Sequence, residues 1–254
     1  MDPKPAPEID ELVALSGIEY PNGHPYTHIT FVMVVWNDAV RAAKLLAYVR
    51  PYFEALVVGV QESPDDTLEV ARSVADVVVE DVHHGFGDAT FGPKLLPRVR
   101  TPWTLKLDAD EWPSKDLLDS LSSATWYADH KAHTRGAWIP FRSSVDGIEY
   151  EEQHSHLRLF HTSAGWPAHL HSRPPIEDGI WWPTGHIRHD RSLDEMIRDY
   201  LEYLRVGQGN RQVTDHNELM IRSACRGTAE KKGWEYVRSH EWWPQVASIV
   251  GKEE

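Results

Sequence analysis

Ile29-Thr30-Phe31-Val32-Met33-Val34-Val35 is an unbroken apolar, largely β-branched run that stops at Trp36-Asn37-Asp38. A run of this kind is the pattern of a strand buried on both faces, which occurs in parallel sheets. Asn37 or Asp38 can cap a following helix, whose apolar positions Val40, Ala43, Leu46 and Val49 keep helical spacing until Pro51. The unit then recurs as a pattern, not as a sequence repeat. Ala55-Leu56-Val57-Val58-Gly59-Val60 is strand-like, Ser63-Pro64-Asp65-Asp66 opens a helix to about Ser73, and Val77-Val78-Val79 is a third strand. A glycine-bearing loop from His83 to Gly92 and a helical stretch through Leu95, Leu96 and Val99 lead to Trp103-Thr104-Leu105-Lys106-Leu107, a fourth strand ending in Asp108-Ala109-Asp110-Glu111. Strand and helix in alternation predict an α/β fold with a mostly parallel sheet and right-handed crossovers.

On either side of this core the texture changes. Residues 1–27 form a proline-punctuated lead-in with one helical possibility at Ile9–Val13. After Pro113 come a helix through Leu117, Leu118 and Leu121, strand-like pieces at Ala137–Phe141 and His156–Phe160, and an irregular Trp-, Pro- and His-rich segment to His189. Ser192-Leu193-Asp194-Glu195 is a capping-box pattern, and Leu193, Met196, Ile197, Tyr200, Leu201 and Leu204 line one helical face. A second, weaker helix is expected over about Asp215–Arg226. The organisation expected is a lead-in (1–27), one α/β domain with halves at about 28–113 and 114–190, and a C-terminal helical extension (191–254) packed on the same domain.

The chain has 254 residues, 41% of them hydrophobic and 26% charged, which excludes disordered, collagenous and coiled-coil classes. Its formal charge of −13 disfavours extended nucleic-acid binding and anionic membrane surfaces. The single cysteine, Cys225, supplies neither an internal disulfide nor the paired thiolates of a structural zinc site. No apolar run approaches the roughly 20 residues of a membrane span, and the N-terminus lacks the order of a signal peptide, so a cytoplasmic setting is expected. Histidines number 15 and tryptophans 11 against 6 phenylalanines, a balance suited to a site built of imidazoles and flat aromatic faces.

In an open parallel sheet, ligands bind beyond the carboxyl ends of the strands. Three such ends are polar here: Trp36-Asn37-Asp38, Gln61 to Asp66, and Asp108 to Glu111. Asp108 and Asp110 are two apart, so while the strand persists their carboxylates share a face and can hold a hard divalent cation. The alternative is an acidic turn that caps the next helix.

These same residues resemble the nucleotide-sugar half of the family 2 glycosyltransferases with the GT-A fold. The likeness covers about 28–190 and extends to Arg158-Leu159-Phe160, similar to an Arg-Leu-Phe strand of the family, and to Trp166-Pro167-Ala168-His169-Leu170-His171. It implies a Rossmann-like nucleotide-binding sheet, a mixed acceptor-side region and C-terminal helices. It also implies a metal-dependent and inverting transfer of a sugar from a UDP- or GDP-sugar to a hydroxyl on a glycan, a protein, a lipid-linked sugar, a small molecule or a modified base.

The resemblance implies Mn²⁺ or Mg²⁺ on Asp110, with Asp108 facing the ribose or supporting the metal shell and His189, or alternatively His186, as a further ligand. It places Trp36 and Asn37 at the base, Glu62 and Asp66 toward uracil or ribose, and Lys94 toward phosphate. Ser172 stands where the family has a glutamate, so the base falls to Asp178, with Glu177 and His171 as alternatives. Histidines and tryptophans between His154 and Trp182 would line the acceptor side. Each of these residues has a plain alternative as a core, capping or surface group. Two other functions use the same residues: a metal-dependent hydrolase with Asp108, Asp110, His169, His171, His186 and His189, and a non-catalytic nucleotide-sugar binding module.

Overall fold

The computed structural model describes residues 26–83, 88–149, 154–166, 174–206 and 211–251. The helical possibility at Ile9–Val13, together with His169, His171 and Ser172, lies outside them. Two compact units emerge: residues 1–142 with 153–189, and residues 143–152 with 190–254. The second unit therefore includes a short segment, 143–152, that the sequence assigns to the α/β domain.

In the first unit, β1 (Ile29–Val35) is buried along its whole length, as its composition demands. It pairs in parallel with β2 (Ala55–Gln61) on one side and β4 (Trp103–Asp108) on the other, and β3 (Val77–Asp81) extends the sheet beyond β2. The connecting helices are α1 (Ala39–Val49), α2 (Thr67–Val74) and α3 (Asp88–Leu95). Asp38 caps α1 by accepting from the Arg41 amide, which satisfies one of the otherwise orphaned amides of the first turn. β4 leads through a two-residue turn into β5 (Glu111–Pro113) and then α4 (Lys115–Tyr127), capped by Ser114. Beyond α4 the sheet becomes mixed. β8 (Ser155–His161) runs antiparallel to β4, β6 (Gly136–Val145) runs antiparallel to β8, and the two-residue β9 (Ile180–Trp181) lies parallel to β6. β10 (Ile187–Arg191) returns antiparallel to β5. β9 and β10 fall in the segment that the sequence presents as irregular, because strands of two and five residues amid Trp, Pro and His carry no readable alternation.

In the second unit, the end of β6 and β7 (Ile148–Glu149) form a two-residue hairpin. Its turn residues Asp146 and Gly147 both have positive φ, the backbone that Asp-Gly favours. The Asp146 carboxylate accepts from the Leu193 amide and the Tyr236 hydroxyl, each at 3.0 Å. α5 (Leu193–Val206) starts with the reciprocal capping bonds between Ser192 and Glu195. It is followed by α6 (Arg211–Lys232), longer than its weak periodicity suggests, and by two helices the sequence pattern does not reveal, α7 (Trp234–Arg238) and α8 (Trp243–Val250). Cys225 is buried among their apolar faces, which pushes its thiol up to about 12 and leaves it a packing residue. Among the described residues, no helix is long and apolar enough to cross a membrane.

Candidate active site

The carboxyl end of β4 organises the site. The strand ends at Asp108, and Asp110 sits in the turn that leads into β5. Antiparallel pairing of β5 with β10 sets His189 opposite Glu111, and from there its Nε2 reaches Asp110 Oδ2 at 3.1 Å. The two residues are 79 positions apart in sequence. Their strands are locked just behind the pair: the Ser114 amide donates to the His186 carbonyl at 2.8 Å, and the His186 amide donates to Ser114 Oγ at 3.0 Å. His186 thus serves through its backbone at the start of β10. Asp38, at the end of β1, is close enough to Asp110 for the two carboxylates to repel, and burial raises the Asp38 carboxyl above its usual range while Arg41 opposes the rise.

Asp108 is engaged differently. Lys106 Nζ donates to both of its oxygens, at 2.8 Å each, and Arg158 approaches one of them at 3.4 Å. Burial works against ionisation of Asp108, but the cations of Lys106 and Arg158 outweigh it and hold the carboxyl below the usual range. The Asp108 amide donates to Glu111 Oε2, and Glu111 in turn forms an ion pair with Arg158. Glu111 is buried, which raises its carboxyl against the pull of Arg158. Arg158 reaches this point because β8 is bulged: Ala137 pairs with Leu159 and Trp138 with Leu157, so Arg158 is the extra residue. A bulge re-aims a side chain, and here the guanidinium lies over the Phe141 ring, 5.4 Å from its centroid. His156, two residues earlier, packs against the same ring at 4.3 Å. The chain around it, then Arg158, His154, His189 and Lys106, push its pKa down to about 4, so the imidazole is neutral at pH 7.

The ends of β1, β2 and β3 carry the other predicted residues. Trp36 is half-buried and outside the core, and it stacks on His83 with ring centroids 3.9 Å apart and planes 7° from parallel. His83 Nδ1 bonds to the buried Gln61 amide oxygen at 3.0 Å. Asn37 adopts a left-handed φ of 48°, and its amide donates to Ser63 Oγ. Asp65 joins the two neighbouring loops by accepting from the Ala39 and Thr67 amides, bonds that hold it ionised against its burial. Glu62 and Asp66 are exposed on this rim. Lys94, on α3, is paired with Asp81.

Asp178 and Glu177 are not brought to this site. Leu105, Leu159, Ala137 and Ile180 form one row across the sheet. Asp108 lies three residues beyond that row in the direction of β4, whereas Asp178 precedes it and accepts from Thr134, itself just before β6. With β6 and β9 running in the same sense as β4, the two aspartates are at opposite ends of the sheet, separated by roughly 15 Å or more along the strands. Parallel addition of β9 to β6 is the reason, and no local sequence signal announces it. The acceptor-side tryptophans need a similar correction. Trp166 and Trp182 are buried, the latter donating to Ser120, and Trp181 is exposed one residue beyond the row that contains Leu105 and Ile180.

No protein-family model matches the chain. Over 94 residues, 37% of its length, it is 30% identical to an uncharacterized glycosyltransferase of Rickettsia felis, and a counterpart in Rickettsia conorii matches over the same length at the same identity. The chain spans about a third (32%) of the length of these curated relatives. Among solved structures, TarS of S. aureus (residues 1–349, in complex with UDP-GlcNAc) superposes with a TM-score of 0.50 at 13% identity, covering 88% of this chain and 79% of that one. The fold is that of the GT-A glycosyltransferases.

Within the GT-A sheet, several residues around the acidic motif escape a sequence search for site residues. Glu111 reads as the tail of that motif and Arg158 as part of a strand. Lys106 has apolar neighbours, Leu105 and Leu107, that make it look like a stray charge, and its spacing of two from Asp108 on one strand is the only signal that the pair would meet. His83 and Gln61 belong to different strand ends, and only the parallel order of β1, β2 and β3 unites them.

Proposed function

We propose that the protein is a metal-dependent glycosyltransferase that takes a sugar from a UDP- or GDP-sugar to a hydroxyl acceptor. The observation that carries this reading is the Asp110–His189 pair at the carboxyl end of the fourth strand, 3.1 Å apart. The carboxylate suits either Mn²⁺ or Mg²⁺, which are commonly bound through one or two side chains with the remaining positions left to phosphate oxygens and water, while the imidazole nitrogen favours the transition metal Mn²⁺ of the two. Bound there, the ion would supply Lewis-acid stabilisation of the departing diphosphate.

The chain's own groups account for the rest. Trp36 offers a flat face for the base at the β1 end, with Glu62 and Asp66 on the rim near the ribose. Asp108, held by Lys106 and Arg158, keeps oxygens for a ribose hydroxyl, while Lys94 can exchange Asp81 for phosphate. Among the described residues no cluster of three or more His, Cys, Asp or Glu side chains is poised for a metal.

A thermal-shift panel of nucleoside diphosphates with and without Mn²⁺ tests the proposal, because a selective ligand raises stability by mass action. UDP or GDP should raise Tm only when Mn²⁺ is present, and Asp110→Asn should abolish the rise. Nucleotide binding that ignores both Mn²⁺ and Asp110→Asn would overturn the proposal. Release of UDP or GDP from the sugar nucleotide separates an enzyme from a binding module.

A further inference from the structure

We propose that Lys106 is a built-in cation that occupies Asp108, so that a divalent ion at Asp110 and His189 is held firmly only together with a diphosphate. The inference deepens the transferase reading and rests on it. Lys106 is 3% exposed, in a strand whose neighbouring positions Leu105 and Leu107 are fully buried. Across the sheet it is registered with Val32, and its ammonium lies 5.6 Å from the Trp166 ring centroid. Val32 and Trp166 share one apolar cluster, so the lysine stem is sunk where a leucine or methionine would pack. Taking an ammonium out of water is costly unless it is paired. Here it meets both oxygens of Asp108 at 2.8 Å, the arrangement a metal ion would otherwise have to displace.

The charges point the same way. Lys106 and Arg158 both pair with Asp108, Arg158 also pairs with Glu111, and Asp38 is matched by Arg41. With Asp108 engaged in this way, Asp110 and His189 offer one carboxylate and one imidazole, a small ligand set that holds a divalent cation weakly, since affinity follows the charge of the ligand set. A diphosphate adds negative charge and further ligands. Lys106 is thereby a positioning residue that ties metal binding to donor binding. By linkage, nucleotide and metal must then strengthen each other by the same factor.

The test is a titration of the intact protein with Mn²⁺ alone, followed by direct binding measurements with UDP present. Lys106→Met should bind Mn²⁺ without nucleotide about tenfold more tightly or better than the parent protein, and UDP should enhance binding correspondingly less. Adding Asp108→Asn to Lys106→Met should return the nucleotide-free affinity to that of the parent. Should Lys106→Met not fold, Lys106→Gln carries the same expectation, because it keeps a donor for Asp108 without the charge. An unchanged or weaker Mn²⁺ affinity in the folded variant overturns the proposal, and so does a double variant that keeps the full gain. If UDP binds to none of the proteins, the transferase reading fails separately, since the comparison with Mn²⁺ alone needs no nucleotide.

Discussion

Gly185→Ala tests whether the strand carrying His189 is fixed by its approach to α4. Gly185 has a φ of +76°, and a Cβ there would lie 2.2 Å from the Leu117 amide nitrogen and 2.6 Å from its Cα. Those atoms belong to the first turn of a capped helix and cannot yield as a side chain tip would. Left-handed backbone costs an alanine about 1–2 kcal/mol. To relieve the overlap the chain must move by about 1 Å, which breaks the two hydrogen bonds between Ser114 and His186, worth about 1 kcal/mol each. The expected loss is therefore about 3–4 kcal/mol, a fall in Tm of roughly 6–16 °C for a chain of this size. Urea denaturation monitored by tryptophan fluorescence measures it. Gly165→Ala is the control: at φ +80° and ψ 165° its backbone strains an alanine, but nothing lies within 4 Å of the added carbon, so only that backbone cost of about 1–3 kcal/mol applies. Nucleotide-dependent Mn²⁺ binding should weaken in Gly185→Ala and stay intact in Gly165→Ala. Equal, small losses in the two variants would refute the idea that packing at Gly185 sets the position of β10.

Trp36→Ala should weaken nucleotide binding by about 1–3 kcal/mol with little change in Tm, as measured by calorimetry and melting, because the ring lies outside the core. Asp178→Asn should leave turnover within about twofold of the parent, whereas a general base is worth 10²–10⁴-fold; a loss of that size would contradict its placement at the far end of the sheet. Stability should decline with acid partly through His156. Its folded pKa of about 4 lies below the ordinary histidine value of about 6.5, so the unfolded chain binds more protons between those values, and the stabilising effect of the neutral ring is lost as pH falls through that window. Because the side chain is exposed to screening solvent, His156→Gln should flatten the decline from pH 7 to pH 4.5 by only about 1 kcal/mol, read from urea melts at each pH.

The first four strands and their helices were legible because each signal is local: a β-branched run, a polar stop, a cap and helical spacing, as in Val32 to Val49. The placement of Asp110 beyond a strand end is legible for the same reason, in a chain whose strand order can be inferred. His189 was harder, since its partner strand β5 is three residues long and has no periodicity of its own. What failed was long-range topology. Asp178 follows a Pro-Pro turn and looks close to the site in sequence, yet two residues of parallel pairing at β9 carry it to the other end of the sheet. Lys106 failed differently, since a charge inside an apolar strand looks like an exception until its carboxylate is found on the same face.

The bonds between Ser114 and His186 close a neck: the chain leaves the site after β5 and re-enters it at β10 within hydrogen-bond distance of where it left. Everything from 115 to 185 is, topologically, a single excursion from one fixed point. Insertions or deletions along that excursion that spare Leu117 and Gly185 should leave Asp110 and His189 facing each other, because their separation depends on the neck and its packing against α4. A lineage could thus remodel the far half of such a protein while inheriting its donor-side hardware unchanged. For engineering, the neck marks the two cut points between which a foreign segment could be spliced, provided that it brings its own replacement for Arg158.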